Sequence, residues 1–267
     1  LKLQWKGYSN NLEYKDLIKD SYYHEKGGML FKGDCLQWMT KFPNKSVDMI
    51  LCDLPYGTTH NKWDTVIAFN KLWEQYERII KDNGAMIFTG QSLFSAKLIL
   101  SNEALYKYSL IWEKTKAGGF LNANKMPLQA HEDILVFYKK LPVYNPQMQD
   151  GKPYIKKAVT NGDGGNYGKF ERIGTTNVNE GLRYPRSVIK ISNDNHKSLH
   201  KTQKPVALFE YLIKTYTNEN EIVLDNTAGV CTTAIACKNT NRKWICIEKE
   251  EEYCIKSVDR IINHKTS

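Results

Sequence analysis

Val47-Asp48-Met49-Ile50-Leu51-Cys52 runs into Asp53-Leu54-Pro55-Tyr56-Gly57, and the reading of that junction decides the fold. Four consecutive apolar residues, Met49 to Cys52, with an acid on either side predict a strand buried on both faces, as in the middle of a parallel sheet. Asp53 then emerges where the strand gives way to a loop, the edge at which open α/β sheets bind ligands. A carboxylate, a proline and an aromatic ring gathered there can grip a planar, amine-bearing group. Asp53 accepts one N–H, a backbone carbonyl beside Pro55 accepts the other, and Tyr56 stacks on the ring, which makes a pocket for a nucleobase amine. These residues alone also fit an ordinary strand-to-helix turn, so the rest of the chain must decide.

At 267 residues, 41% hydrophobic and 12% aromatic, the chain can bury a large α/β core with an insertion, and it is neither disordered nor collagen-like. No apolar run approaches the roughly 18 residues of a membrane helix, so no membrane partner is expected. Leu1-Lys2-Leu3-Gln4-Trp5-Lys6 lacks the apolar core of a secretion signal, and the six cysteines lie largely within apolar segments without a paired framework. Reduced thiols in a cytoplasm are the expectation. The net charge of +9 favours a polyanionic partner. Its distribution says more: Leu141 to Lys204 carries eight Lys and three Arg against five Asp or Glu, most of the whole excess.

Residues 1–28 are polar and weakly periodic and read as a peripheral N-terminal arm of little functional content, ending in Gly27-Gly28. Met29-Leu30-Phe31-Lys32 predicts a strand that ends at Gly33-Asp34, followed by a short helix from Cys35 to Met39. Asp34 suits both a helix N-cap and a ligand-binding acid. Phe69, Leu72, Trp73, Tyr76, Ile79 and Ile80 share one helical face, with Asn83-Gly84 as the stop. Strands are predicted at Ala85–Phe88, Tyr108–Trp112 and Asp133–Tyr138, with Ser92 capping a helix between the first two. From 139 to 201 periodicity fades. The glycine cluster Asn161 to Gly168 has the wrong spacing for a dinucleotide fingerprint and reads as a flexible loop. Arg183-Tyr184-Pro185-Arg186 interleaves guanidinium groups with a ring, which suits phosphate and base contact and equally a solvated loop. Past Lys204-Pro205 a helix runs to Tyr216, and the strand Ile222-Val223-Leu224 delivers Asp225. The loop from Asn226 to Cys231 opens a helix at Thr232-Thr233, and Trp244-Ile245-Cys246-Ile247 ends at Glu248 before a last helix.

Asp34, Asp53, Asp225 and Glu248 thus stand at four strand ends. A small-residue loop between a strand and a helix N-terminus lets backbone amides approach a ligand, and an acid at the next strand end can bond a ribose diol. At this point the chain resembles the DNA amino-methyltransferases, which use S-adenosylmethionine to methylate adenine N6 or cytosine N4. Asp53-Leu54-Pro55-Tyr56 is similar to their Asp-Pro-Pro-Tyr catalytic signature, and Asp225 to Thr233 to their Asp-Pro-Phe-x-Gly-x-Gly-Thr-Thr cofactor loop. Gly33-Asp34, Gln203-Lys204-Pro205 and Glu248 match further cofactor segments, and the resemblance runs from about Met29 onward.

The resemblance implies a Rossmann-like class I methyltransferase fold: a seven-stranded, mostly parallel sheet with helices on both faces and one strand reversed near an edge. The motif order, catalytic signature first and cofactor loop last, resembles the circularly permuted β group. It divides the chain into a catalytic half, 29–138, a target-recognition insertion, 139–201, and a cofactor half, 202–267. The implied catalytic residues are Asp53, Pro55 and Tyr56. Asp34, Cys35, Asp53, Lys204, Asp225, Asn226, Thr227, Gly229, Thr232, Thr233 and Glu248 would surround S-adenosylmethionine, and Arg183, Arg186, Lys197 and Lys201 would touch double-stranded DNA. Adenine is the expected target, because cytosine-N4 enzymes more often begin the signature with Ser. The same pocket admits cytosine N4 or RNA, and a homodimer or a cognate restriction endonuclease is compatible with the resemblance. Leu54 and Cys231 depart from the signatures; a Cys231 side chain where backbone usually nears the ligand would weaken cofactor binding and favour a DNA-binding homologue without activity. His196 and His200 have no companion Cys pair for zinc, no metal is expected, and Gly90-Gln91-Ser92-Leu93-Phe94 lacks the last Gly of a hydrolase elbow.

Overall fold

The computed structural model describes residues 14–58, 64–156, 176–193 and 203–265. In chain order its main body contains α1 (Tyr14–Leu17), β1 (Tyr23–Glu25), β2 (Gly28–Lys32), α2 (Cys35–Thr40), β3 (Val47–Cys52), α3 (Phe69–Ile79) and β4 (Ile80–Gly90). It continues with α4 (Ser92–Ser101), β5 (Tyr106–Gly118) and β6 (Gln129–Tyr138). A small unit, Pro146–Arg186, holds two antiparallel pairs, β7 (Gln149–Asp150) with β10 (Leu182–Arg183) and β8 (Tyr154–Lys156) with β9 (Asn177–Asn179). The main body resumes with β11 (Val188–Lys190), α5 (Val206–Tyr216), β12 (Ile222–Asp225), α6 (Thr232–Asn239), β13 (Lys243–Glu248) and α7 (Glu251–Ile262).

β3 is buried along its whole length, as its apolar run requires. The sheet order is β1-β2-β13-β12-β3-β4-β6-β5-β11. From β2 to β5 these are the seven strands expected, all parallel except β6, which is antiparallel to both neighbours; β1 and β11 extend the two edges. Alternation sorts the strands onto two cores. Ile50, Leu224, Ile245, Met86, Phe88 and Phe137 face α1 to α4, whereas Met49, Val223, Trp244, Ile87 and Val136 face α5 to α7. Asp48 survives inside β3 because its carboxylate takes the Lys81 ammonium at 2.5 Å and the Ile222 amide at 2.9 Å. All six cysteines are buried and unpaired.

Three local expectations fail for physical reasons. Asn83-Gly84 does not stop α3; it lies within β4, where a Cβ on Gly84 would come within 2.7 Å of the Asp48 carbonyl oxygen, so the missing side chain serves strand packing. Ser92 does not cap α4: it is the first helical residue, with a left-handed φ of 50°, and Gln91 holds the cap position. The described part of the 1–28 arm is not peripheral, because Tyr14 and Leu17 are buried against Phe31 and Phe42 and β1 pairs with β2. The glycine cluster, His196, His200, Lys197 and Lys201 lie outside the described residues.

Candidate active site

Strand order ranks the functional groups along one sheet edge. Gly33-Asp34 follows β2, Glu248 ends β13, Asp225 ends β12 and Asp53 follows β3, and β6, running the other way, brings Glu132 there from its first half. All of them line a single cleft of about 660 Å³.

At its centre Asp53 is fully engaged. Oδ1 accepts the Tyr56 hydroxyl at 2.8 Å and the Thr89 hydroxyl at 2.5 Å, and Oδ2 accepts the Lys204 ammonium at 2.6 Å. Lys204, only 7% exposed, also pairs with Glu132 Oε2 at 3.3 Å, while Glu132 Oε1 takes Lys114 at 2.5 Å. Burial works against the Lys204 charge, but the Asp53 and Glu132 carboxylates outweigh it and raise its pKa. Burial, then the Asp53 and Glu132 charges, push Tyr56 well above the usual phenol range, so it stays a neutral donor. Its ring packs on Phe94 with centroids 4.7 Å apart. Leu54, where the signature has proline, buries its side chain in the core beside α3, which explains why an aliphatic residue is accepted there. Asp64 accepts the Gly57 and Thr58 amides at 2.8 and 2.9 Å.

The other side of the cleft is built from the loop after β12. Asp225 Oδ1 accepts the Thr227 amide at 3.1 Å and Oδ2 the Thr233 hydroxyl at 2.5 Å, and the Thr227 hydroxyl donates to the Asp53 carbonyl at 3.1 Å, tying this loop to the end of β3. Burial lifts Asp225 to about 7 against those two hydrogen bonds, helped by the charges of Asp53 and Glu248. Glu248, likewise raised by burial, accepts the Gly229 amide at 2.7 Å and the Glu250 amide at 2.8 Å, and each oxygen keeps a lone pair for a hydroxyl donor. Gly229 has a left-handed φ of 53° with open space where a Cβ would stand. Room beside the loop, backbone amides and acids for a diol and for positive charge fit S-adenosylmethionine.

Not every expected residue faces the cleft. Asp34 lines it and is also the N-cap of α2, accepting the Gln37 amide at 3.1 Å. Cys35, Asn226, Thr227 and Thr232 line it too, although Asn226 Oδ1 is held from below by the Tyr76 hydroxyl at 2.7 Å. Thr233 is fully buried and supports Asp225 instead. Lys204, expected among the cofactor residues, has its ammonium on the Asp53 carboxylate. Arg183 stacks on Tyr154 at 4.7 Å and donates to the Lys152 carbonyl and Asn179, bracing its own unit, whereas Arg186 is exposed. Thr89, Lys114 and Glu132 were missed; the signal for Glu132 was an acid opening an apolar strand.

Cys231 corrects an expectation. Its backbone is left-handed (φ 54°, ψ 47°), which accounts for glycine in the signature, but the side chain is fully buried in the core under α5 and α6 and does not line the cleft. Cys231→Gly is therefore expected to leave S-adenosylmethionine affinity unchanged in calorimetry. Relief of a left-handed strain of about 1 kcal/mol and loss of a buried thiol of similar worth nearly cancel in the melting temperature.

The comparisons agree with this geometry. Residues 47–259 match the family model of the N6/N4 methyltransferases, described as DNA methylase. The type II methyltransferase M.HpaI of Haemophilus parainfluenzae is 30% identical over 247 residues, 87% of this chain and 73% of that protein. M.HinfI of Haemophilus influenzae is 25% identical over 260 residues, and the chain spans 65% of its length. The cytosine-N4-specific PvuII DNA methyltransferase shares the fold at a TM-score of 0.70, covering 93% of this chain and 91% of that one at 16% identity. M1.HpyAVI in its complex with SAM is 26% identical with a TM-score of 0.60, over 87% of this chain and 99% of that one. With both signature-like segments folded onto one cleft, the chain belongs to the N6-adenine/N4-cytosine family of S-adenosylmethionine-dependent DNA amino-methyltransferases.

Proposed function

We propose that this protein transfers the methyl group of S-adenosylmethionine to the N6 amine of an adenine flipped out of double-stranded DNA. The carrying observation is Asp53, with one oxygen held by Tyr56 and Thr89 and the other covered by a lysine that already touches a second carboxylate. When bound, S-adenosylmethionine supplies an electrophilic methyl group on a positively charged sulfur. A short swing of Lys204 toward Glu132 uncovers Asp53 Oδ2 for an amine N–H. The second N–H goes to the backbone carbonyl beside Pro55, so the nitrogen, whose lone pair is delocalised into the ring, can become tetrahedral. Asp53 then stabilises the positive charge developing there and routes the departing proton. Tyr56 stacks on the extruded base. Adenine is favoured over cytosine because a carboxylate leads the tetrapeptide. Arg186, with Lys197 and Lys201, supplies phosphate contacts, and Arg183 holds its unit in shape.

Labelled methyl transfer to unmethylated genomic DNA, followed by nucleoside analysis, tests the reading. N6-methyladenine is expected; N4-methylcytosine would reassign the base, and no product from protein that binds S-adenosylmethionine would overturn the activity.

Asp225 gives this reading a pH signature. Its folded pKa of about 7 lies above its unfolded value, so in the cofactor-free protein the contribution of Asp225 to stability is greatest at low pH and is lost as pH rises from about 4 through 7. A cationic cofactor beside Asp225 favours the ionised form. Binding near pH 6.5 is therefore expected to release part of a proton and to tighten toward pH 8, with affinity rising at most about tenfold per pH unit. Calorimetry in two buffers of different ionisation enthalpy measures the release, and Asp225→Asn should abolish it.

A further inference from the structure

The β5–β6 connection, Gly119–Leu128, leaves the sheet at the edge that carries Asp53, because β5 runs parallel to β3 and β4 and ends there at Gly118. After Gly119 in a left-handed conformation, Phe120–Asn122 form one tight helical turn at the tip. Phe120 is 76% and Leu121 81% exposed. Two adjacent large apolar side chains this exposed offer an unpartnered apolar surface to whatever docks at this edge. Between Lys114 and His131 the chain has two lysines, Lys116 and Lys125, both exposed, and no carboxylate, which suits a polyanion. The loop also adjoins the cleft: Gln91 and Glu132 line both the cleft and the shallow hollow made by Met126, Pro127 and Leu128.

We infer that Phe120 and Leu121 form a wedge that enters the DNA base stack and fills the gap left by the flipped target base. The inference rests on the proposed DNA methylation and specifies how that site opens the duplex. Apolar side chains inserted between base steps offset the loss of stacking, and the flanking lysines draw the backbone toward the loop.

Wild type, F120S/L121S and the apolar exchange F120L/L121F are compared for labelled methyl transfer to saturating unmethylated genomic DNA. S-adenosylmethionine binding is followed by calorimetry and assembly by sedimentation. The serine variant is expected to transfer roughly tenfold more slowly or worse with unchanged cofactor binding, while the apolar exchange stays near wild type. Equal rates for wild type and the serine variant, or equal losses in both variants, overturn the wedge. A wild-type dimer that the serine variant converts to monomer would assign the loop to self-association and also overturn it. If wild type transfers no methyl group, the functional reading itself fails, and the wedge with it.

Discussion

Asp53→Asn is expected to lower methyl transfer by at least about 100-fold while S-adenosylmethionine affinity and melting temperature stay close to wild type. The amide retains the shape of the carboxylate, and its oxygen can still accept from Tyr56 and Thr89, which meet Oδ1 at 2.8 and 2.5 Å. What it loses is the negative charge that the developing cation on the target amine requires. The other position of the side chain becomes an N–H donor, facing the Lys204 ammonium in the resting protein and the amine during transfer. Lys204 keeps Glu132 as a partner at 3.3 Å, so the fold should tolerate the change. Single-turnover transfer is the measurement, with cofactor binding as control. More than about a tenth of wild-type rate in the variant would remove Asp53 from the catalytic role.

Lys204→Met should act on stability most of all. The ammonium lies between two carboxylates whose side chains are 26% and 10% exposed, and methionine leaves them facing one another with only Lys114 on Glu132 as compensation. Removing one partner of a buried ion pair typically costs about 3–5 kcal/mol; the exposure of Asp53 argues for the lower end, roughly 6–10 °C in melting temperature. A variant as stable as wild type at pH 7.5 would show that the pair holds nothing together.

Where sequence reading succeeded, one periodic pattern dominated. β3 reads as buried because it is buried on both faces, α5 because Leu208, Phe209, Leu212 and Ile213 form one stripe, and the loop after Asp225 because short residues follow a strand. Four acids at strand ends then placed the cleft. The failures share a cause as well: they depend on direction or backbone handedness, which periodicity does not encode. Glu132 reaches the site because β6 is reversed and brings its first residues, not its last, to the active edge. Thr89 contributes from inside β4, where no polar spacing announces it. Gly84 looked like a helix stop but is a close approach between strands. Cys231 looked like an obstruction in the cofactor loop, yet a left-handed backbone turns its thiol into the core.

The buried cysteines give the molecule a built-in clock. All six cysteines are buried, Cys35 where it borders the cleft, and burial raises the pKa of five of them, Cys35, Cys52, Cys237, Cys246 and Cys254. At the five cysteines away from the cleft, alkylation therefore has to wait for the surrounding structure to open, and its rate at each sulfur reports the frequency of that opening, whereas Cys35 reports access to the cleft itself. Cys231, Cys237, Cys246 and Cys254 sit on the elements that build the cofactor side of the cleft, and Cys35 and Cys52 lie beneath its other acids. Timed labelling thus separates breathing of the cofactor half from global unfolding without any added probe, and protection by a ligand can be read sulfur by sulfur.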